Sequence, residues 1–408
     1  MKILMLGWEL PPHNSGGLGV ACFYMAKALA NSGADIEFVV PYKDKHTEID
    51  FMKVLNATNF SEIHKFGAGA YDSLHWERSS HNASNFLLDI RSIQAEYCNF
   101  IRKYLSNPKN KPDVIHAHDW LTMEAGILAK KLTSAPLITH IHATEFDRSG
   151  GISGNQEIHD IEYAGICASD RVFAVSKNTR NIIIEKYQIK PEKVEVVYNA
   201  IETSTLADPQ DYDEQTYRYL EYLKSQGYTV AMTLTRFTIQ KGLTFLMQAV
   251  AEAISKNPKI ALLLVGDGEQ RNELIKMASD FGISNKIFFT GFLRGDKWRD
   301  AYGVADVFVM SSVNEPFGLT ALEAAHFNNA LIISKQSGVG EVLKNILRYD
   351  FWDTKKLANQ IYEVSTNKDL LQSLKNGVQK EYDRISWSDI AEQIMEEFIH
   401  LTEVNNGQ

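Results

Sequence analysis

Two glutamates, Glu315 and Glu323, form the pattern with the clearest chemistry in this sequence. They lie eight residues apart, separated by a Pro-Phe-Gly turn that follows an apolar run at 306–310. On one helix this spacing would separate them by about 12 Å. Carboxylates accept hydrogen bonds from vicinal hydroxyl groups, so one could hold a sugar and the other a ribose. A solvent-facing role explains Glu315 poorly, because the turn confines it, and explains Glu323 reasonably well.

The same turn predicts an anion site at the start of a helix. The spacing of apolar residues predicts a helix over 317–327, with Pro316 near its first turn, where proline is favoured. A helix N-terminus carries unpaired N–H groups and partial positive charge, so it favours a phosphate group. The predicted phosphate site consists of Phe317, Gly318, Leu319 and Thr320.

Two cations upstream could serve the same ligand. Arg236 and Lys241 lie five residues apart in a predicted loop, after a strand at 229–235 and before a helix at 243–256. A guanidinium and an ammonium at this spacing can both reach a diphosphate. Taken alone, they are better explained as two surface residues. They become specific only in combination with the paired glutamates.

A glycine-rich loop follows the first predicted strand and leads into a helix. It contains Gly16 and Gly17, whose lack of side chains lets backbone N–H groups approach an anion. A dinucleotide-binding fingerprint would need glycine where Cys22 stands, so that interpretation fails. An ordinary flexible loop explains the pattern about as well.

Two histidine pairs each end a predicted strand. They are His116 with His118, and His140 with His142, and side chains two apart on a strand share a face. Zinc binding is the obvious alternative. However, ten of the 12 histidines lie at or before His159, whereas a barrel metal site would need further histidines at later strand ends. We therefore predict no metal, hydrogen bonding for one member of each pair, and ligand contact for the other, favouring His142.

The elements that must position these residues alternate along the chain. Short apolar strands are predicted at 3–6, 36–40, 114–117, 137–141, 172–175, 194–197, 229–235, 260–265, 287–290, 306–310 and 331–334. Helices of 10–15 residues separate many of them, which is typical of βαβ units and parallel sheets. We predict an α/β protein of two Rossmann-like doubly wound domains facing across a cleft, where strand ends would bind a ligand.

The predicted domains follow from where this alternation breaks. We assign 1–200 to an N-terminal Rossmann-like domain, 201–227 to an acidic linker with a helix near 214–225, and 228–385 to a C-terminal Rossmann-like domain. The last segment, 386–408, should be a helix that packs back across the domains. Asp211 and Asp213 match an Asp-x-Asp metal signature, but no strand precedes them, so we interpret them as solvated charge.

Composition excludes several function classes. The chain has 408 residues, and 42 Lys and Arg against 51 Asp and Glu give a net charge of −9. We therefore expect no nucleic-acid partner and no attraction to anionic membranes. Neither a signal peptide nor a membrane-spanning run is recognisable, which favours a cytoplasmic protein. The three cysteines, Cys22, Cys98 and Cys167, form no CxxC pair and are interpreted as buried free thiols.

Taken together, these motifs resemble the retaining nucleotide-sugar glycosyltransferases of the GT-B fold, in the large family 4 type related to glycogen and starch synthases. The segments that carry the resemblance span nearly the whole chain: Gly16–Gly19, His116–Trp120, His142–Glu145, Arg236 with Lys241, Gly266–Gly268, Gly291 with Phe292, and Glu315–Glu323.

The resemblance implies a role for each site residue. Arg236, Lys241 and the helix start at Gly318–Thr320 would stabilise the donor diphosphate, without a metal or other cofactor. Glu315 would hold the transferred sugar and Glu323 the ribose. The remaining predicted roles belong to His142 at the sugar's 6-hydroxyl, Asp119 near the sugar or acceptor, and the backbone at Gly291 and Phe292 beside the base.

The resemblance also defines the expected reaction and its alternatives. It implies transfer of a hexose, most simply glucose from UDP- or ADP-glucose, to a carbohydrate acceptor such as an α-glucan. Two departures from bacterial starch synthases weaken ADP-glucose and glycogen: Asn14 replaces the lysine before the paired glycines, and Pro316-Phe317 replaces a cysteine-containing turn. Alternatives are a small-molecule, lipid or cell-surface glycan acceptor, a sugar-nucleotide epimerase, a phosphorylase, or a non-catalytic sugar-binding module.

Overall fold

The structure is a computed structural model that describes residues 1–13, 16–46, 48–59, 83–150, 154–202, 215–293 and 297–406. Contacts divide the chain into a first unit, Met1–Ala200 with Ser386–Gln408, and a second unit, Ile201–Ile385. Three residues discussed above lie outside the described parts: Asn14, Asp211 and Asp213.

The first unit is built on a seven-stranded parallel sheet in the order β3-β2-β1-β4-β5-β6-β7. Its strands are β1 Lys2–Leu6, β2 Asp35–Val40, β3 Lys53–Asn56, β4 Val114–His118, β5 Leu137–Ile141, β6 Arg171–Ala174 and β7 Val194–Val196. The central strands β4 and β5 are buried along their whole length. Helices cover both faces of a parallel sheet, which explains the continuous apolar runs that predicted these strands.

The helices of this unit follow the strands as crossover connections. They are α1 Gly17–Asn31, α2 Ala83–Leu105, α3 Trp120–Thr133, α4 Glu145–Arg148, α5 Gln156–Ala168 and α6 Lys177–Lys186. The helix predicted after the glycine-rich loop is α1, whereas α2 and α5 were not predicted. The short α4 begins with a capping box in which Thr144 accepts from the amide of Asp147 and Asp147 accepts from the amide of Thr144.

The second unit repeats the arrangement with a six-stranded parallel sheet in the order β10-β9-β8-β11-β12-β13. Its strands are β8 Thr229–Leu234, β9 Ile260–Val265, β10 Ile287–Gly291, β11 Val307–Met310, β12 Ala330–Ser334 and β13 Leu347–Tyr349. Its helices are α7 Gln215–Ser225, α8 Leu243–Lys256, α9 Arg271–Asp280, α10 Lys297–Val304, α11 Leu319–His326, α12 Thr354–Thr366 and α13 Lys368–Tyr382. The helix predicted near 214–225 is therefore confirmed, as α7.

The last helix, α14 Trp387–Asn406, packs on the first unit. Phe398 is fully buried, and its ring lies 5.3 Å from that of His116 and 6.2 Å from that of Phe173. At the rim, Arg171 donates to Glu397 at 2.5 Å. The chain thus returns to the first unit after completing the second.

The three cysteines differ in exposure, which corrects one prediction. All are free thiols, but only Cys22 is buried, while Cys98 is partly exposed and Cys167 is exposed. Cys167 is the penultimate residue of α5. The spacing of cysteines in the sequence does not show whether a thiol at the end of a helix faces the core or the solvent. Among the described helices, none combines the length and apolar character needed to cross a bilayer.

Candidate active site

In the second unit, Lys241 and Glu315 form an ion pair in the loops that follow β8 and β11. Lys241 Nζ lies 2.6 Å from Glu315 Oε2, and the Ser312 hydroxyl donates to the same oxygen at 3.1 Å. Both charged side chains are partly buried, with 14% and 16% exposed. The Ser311 hydroxyl donates to the Lys241 carbonyl and ties the two loops together. The structure therefore joins two residues that the sequence placed in one site.

Backbone pairing, rather than a helix, positions Glu315. Its amide donates to the Gln336 carbonyl at 3.1 Å, and the Gly338 amide donates to its carbonyl at 3.0 Å. One step further, the Val339 amide donates to the Phe317 carbonyl at 2.7 Å. The loop after β12 thus holds the Glu315 segment in an extended conformation. The sequence could not reveal this pairing, because its partner lies about twenty residues downstream.

The helix α11 starts two residues later than predicted. Its N-cap is Gly318, with φ of +109°, and the first helical residue is Leu319. A Cβ at Gly318 would lie 2.8 Å from Met310 Cε, and this φ strains any other residue, so glycine is required. Glu315 and Pro316 precede the helix. The predicted helical separation of the two glutamates is therefore wrong, and Pro316 lies two residues before the N-cap.

Glu323 has its own partner within the second unit. The hydroxyl of Tyr302, a fully buried residue, donates to Glu323 Oε2 at 2.8 Å and to the Thr320 carbonyl at 3.2 Å. Burial raises the pKa of Glu323, and the bond from Tyr302 opposes that shift. The sequence analysis missed Tyr302, which links the second glutamate to the first turn of α11.

Arg236 lies in a group of loops at the ends of β8, β9 and β10. Next to it, the Phe237 amide donates to the Asp267 carbonyl, and the Gly266 amide donates to the Gly291 carbonyl, both at 2.9 Å. Gly266 has φ of +131°, and a Cβ there would collide with the Thr235 carbonyl at 1.9 Å. Close backbone approach thus explains Gly266. Gly291, which the sequence analysis placed beside the base of the donor, has a φ of +74° and open space where a Cβ would lie.

Two predicted donor residues differ sharply in exposure. Phe292 is 58% exposed beside Gly291 and presents an aromatic surface. Phe317 is 3% exposed, so its side chain supports the turn from within the core. Contact of either residue with a donor stays a prediction.

In the first unit, Asp119 connects the ends of β4 and β5. It precedes α3 with φ of +56°, and its Oδ1 accepts from the amides of His142 at 2.7 Å and Ala143 at 3.3 Å. Burial raises the pKa of Asp119 to about 7, although the nearby Arg148 and these two amide bonds oppose the shift. A conditionally ionised carboxylate is thus fixed against the backbone beside His142.

All four strand-end histidines meet in one buried cluster. His118 Nδ1 lies 3.1 Å from His142 Nε2, and His140 Nδ1 lies 3.3 Å from His116 Nε2. Burial lowers the pKa of His142 and of His116 to about 3, and that of the other two well below the usual value. His142 is 7% exposed and the other three are fully buried. All four are therefore neutral at pH 7, and His142 is the member nearest to solvent.

The sequence analysis missed a buried arginine, Arg148, which follows the second histidine pair in the chain. Arg148 donates to Glu145 at 3.0 Å, to the Ala143 carbonyl at 2.8 Å, and to Glu162. The Tyr187 hydroxyl donates to Glu162 as well. Burial lowers the pKa of Arg148, but Glu162 and Glu145 outweigh it and raise the pKa overall. The signal was present as a charged run directly after the second histidine pair.

The predicted glycine loop is described from Gly16 onward. Gly16 is the N-cap of α1, and Gly17 is its first residue and is exposed. Leu18 and Gly19 are already buried. The start of α1 is therefore open at Gly17, and an anion there stays a prediction.

Two family models match the chain. One, described as Glycosyltransferase Family 4, covers residues 15–205, and the other, Glycosyl transferases group 1, covers residues 221–381. The first range falls mainly in the first unit and the second range in the second.

Similar proteins agree with these models. The chain is 27% identical over 406 residues to an uncharacterized glycosyltransferase of Methanocaldococcus jannaschii, with 96% of each chain covered. It is 28% identical over 359 residues to a glycogen synthase of Mycobacterium tuberculosis, covering 85% of this chain and 80% of that one. Among solved structures, Anabaena HepE in complex with UDP-glucose matches with a TM-score of 0.70 and 19% identity, covering 98% and 100%. The chain is a glycosyltransferase with the GT-B fold, of the family 4 type related to glycogen synthases.

Proposed function

We propose that the chain is a retaining hexosyltransferase that moves glucose from a nucleoside-diphosphate glucose to a carbohydrate acceptor. The Lys241–Glu315 ion pair beside the N-cap of α11 carries the proposal, because Glu315 Cγ lies 3.4 Å from a Cβ built on Gly318. A cation, a carboxylate and a helix start are therefore adjacent. Similarity to a glycogen synthase and to a UDP-glucose complex supports this donor class.

Departure of the nucleoside diphosphate is the step that this part of the site assists. Negative charge develops on the leaving phosphate, and fixed cations and helix N–H groups stabilise it most in the transition state. Lys241 and Arg236 supply the cations in the proposal. Glu315 holds Lys241 in place and accepts hydrogen bonds from the sugar's hydroxyl groups. Glu323, anchored by Tyr302, would accept from the ribose.

The first unit would contribute neutral hydrogen-bonding groups around the sugar. His142 is uncharged at pH 7, so it can bind the 6-hydroxyl without adding positive charge near the anomeric carbon, which becomes cationic as the bond breaks. Asp119 orients His142 through the backbone amide. We place its carboxylate close to the sugar or the acceptor.

Retention of configuration and independence from metal are parts of the same proposal. The acceptor would attack on the face from which the diphosphate leaves, and the leaving phosphate would take the acceptor's proton. Lys241, Arg236 and the start of α11 perform the charge stabilisation that a divalent ion performs elsewhere. No step in this scheme requires a cofactor.

A donor panel in EDTA tests the proposal. UDP-, ADP- and GDP-glucose are each incubated with the full chain, with and without glucan, and nucleoside-diphosphate release is measured together with the anomeric configuration of the product. We expect release from one of the glucose donors, stimulated by acceptor and unaffected by EDTA, with an α-linked product. A small-molecule, lipid or cell-surface glycan that replaces glucan as acceptor would change only the acceptor class.

Three results would contradict the proposal. Loss of activity in EDTA would overturn the metal-free scheme, and an inverted product would overturn retention. Absence of release from every donor would favour a binding module over a transferase. Glu315→Gln tests the carboxylate itself, because it keeps the side-chain volume and removes the charge that faces Lys241.

A further inference from the structure

The histidine cluster lies beside a buried thiol that the proposed reaction does not use. Cys22 lies on α1 and is 1% exposed. Its sulfur, one ring nitrogen of His118 and one ring nitrogen of His142 all lie within 4.8 Å of one another. A thiolate with two imidazoles is a donor set that zinc-class metal ions prefer.

The spacing of the two imidazoles already fits a shared metal ion. His118 Nδ1 and His142 Nε2 are 3.1 Å apart. Two nitrogens bound to one tetrahedral zinc ion at 2.0–2.1 Å lie roughly 3.3 Å apart. The hydrogen bond between them marks the position where an ion would lie.

The local charge also favours a dication. The carboxyl groups of Asp119 and Glu9 are close enough to Cys22 to act on it electrostatically. In their ionised form they attract a divalent cation, and a metal ion deprotonates a coordinating thiol outright.

We propose that Cys22, His118 and His142 form a binding site for one zinc-class divalent metal ion, and that its occupation blocks sugar transfer. Binding releases one proton, from the Cys22 thiol to solvent, while each neutral imidazole keeps its proton on the nitrogen that does not bind. The bound ion then occupies a ring nitrogen of His142, the residue that the proposed function assigns to the sugar. The inhibitory part rests on that proposed function, whereas metal binding does not.

A neighbouring set of three histidines is a weaker candidate. His116, His118 and His140 also offer ring nitrogens within 4.8 Å of one another. All three are fully buried, and the rings of Phe173 and Phe398 lie against His116. This set supplies no anionic ligand, so a dication there would be desolvated without compensation. Cys22 therefore decides between the two sets.

Cobalt(II) titration of the full chain tests the site, since cobalt(II) replaces zinc and reports thiolate ligation through a sulfur-to-metal charge-transfer band. We expect one ion per chain and a charge-transfer band in the wild type. Cys22→Ser should lose the band, whereas Cys98→Ser and Cys167→Ser, which alter the two cysteines outside the cluster, should keep it. His142→Gln retains the thiol and should bind roughly tenfold more weakly or worse.

Inhibition provides the second readout. Zinc should suppress nucleoside-diphosphate release by the wild type, EDTA should restore it, and Cys22→Ser should need roughly tenfold more zinc. A band that persists in Cys22→Ser, or no binding at micromolar metal, overturns the site. Binding without inhibition overturns the blockade. A wild type that binds cobalt but releases no diphosphate from any donor contradicts the proposed function and leaves the metal site standing.

Discussion

The two units present opposite kinds of site at the ends of their strands. In the first, the charged groups are sealed: Asp119 and Arg148 are each 4% exposed, and protein atoms satisfy the guanidinium on three sides. In the second, Lys241 and Glu315 are partly open and meet in one ion pair. A buried charged side chain is held in one position by the partners that neutralise it, whereas a partly exposed one can still interact with a ligand. We therefore expect Arg148 to act mainly on stability, and Lys241 and Glu315 to act mainly on turnover.

The largest expected effect is on stability, from Arg148→Met. Removing the guanidinium leaves Glu162 and Glu145 as uncompensated buried carboxylates, which should lower the free energy of unfolding by about 3–5 kcal/mol. Urea denaturation, followed by circular dichroism, measures this loss in the free energy of unfolding. The control is Arg102→Met, since Arg102 is exposed on α2. Equal stability in both variants would show that the sealed network contributes little.

Next in size is the loss of turnover in Lys241→Ala. Removing the cation should lower kcat/KM roughly 100- to 1000-fold, the range found for a single group that stabilises transition-state charge. Stability should fall less than in Arg148→Met, because Glu315 keeps its hydrogen bond from the Ser312 hydroxyl. Lys256→Ala is the matched control, since Lys256 pairs with Glu252 on the surface of α8 at 2.7 Å. Comparable kinetics in the two variants would remove Lys241 from the site.

A smaller effect is expected on the pH dependence of the unfolding free energy, to which the buried histidine His142 contributes. Burial lowers the pKa of His142 to about 3, so below its unfolded pKa near 6.5 the unfolded chain binds more protons than the folded one. Stability from this group is present above pH 6.5 and is lost as pH falls towards 3. His142→Gln should therefore flatten the pH dependence of the unfolding free energy by at most about 1.4 kcal/mol per pH unit. The control variant is His400→Gln, at an exposed position on α14.

The smallest effect should come from Tyr302→Phe. The variant loses one hydroxyl that donates to Glu323 and to a backbone carbonyl, which should cost about 1 kcal/mol of stability. The donor KM should rise, because Glu323 loses the group that orients it. Tyr349→Phe removes a similar buried hydroxyl, which donates to the Met310 carbonyl, and should leave KM unchanged. Equal KM values would mean that Glu323 does not contact the donor.

Continuous apolar runs predicted the central strands of both sheets, because a strand covered on both faces needs apolar residues at every position. The edge strand β3 at Lys53–Asn56 was missed, since it is short and only partly buried. The amphipathic helices α12 and α13 were missed as well, although each has enough apolar residues on one face to pack against the second unit. Local patterns thus identify interior strands better than the periphery.

For the site, the sequence identified residues better than it identified their arrangement. Lys241 and Glu315 were assigned to one site and do contact each other, while their catalytic roles stay predictions. The meeting of both histidine pairs depends on β4 and β5 being neighbours, with His118 opposite His140. Arg148 was missed because a buried arginine and a surface arginine look alike in sequence. Such groupings depend on contacts between distant parts of the chain.

The return of α14 to the first unit has a consequence for synthesis on the ribosome. Phe398 completes the wall around His116 and Phe173, yet almost four hundred residues precede it in the chain. Domains usually fold in order as they emerge. Here the unit that begins first cannot finish its core until the second has been translated. An incomplete nascent chain would therefore leave the rings of His116 and Phe173 without their contact to Phe398. This part of the core can form only after residue 398 has been translated.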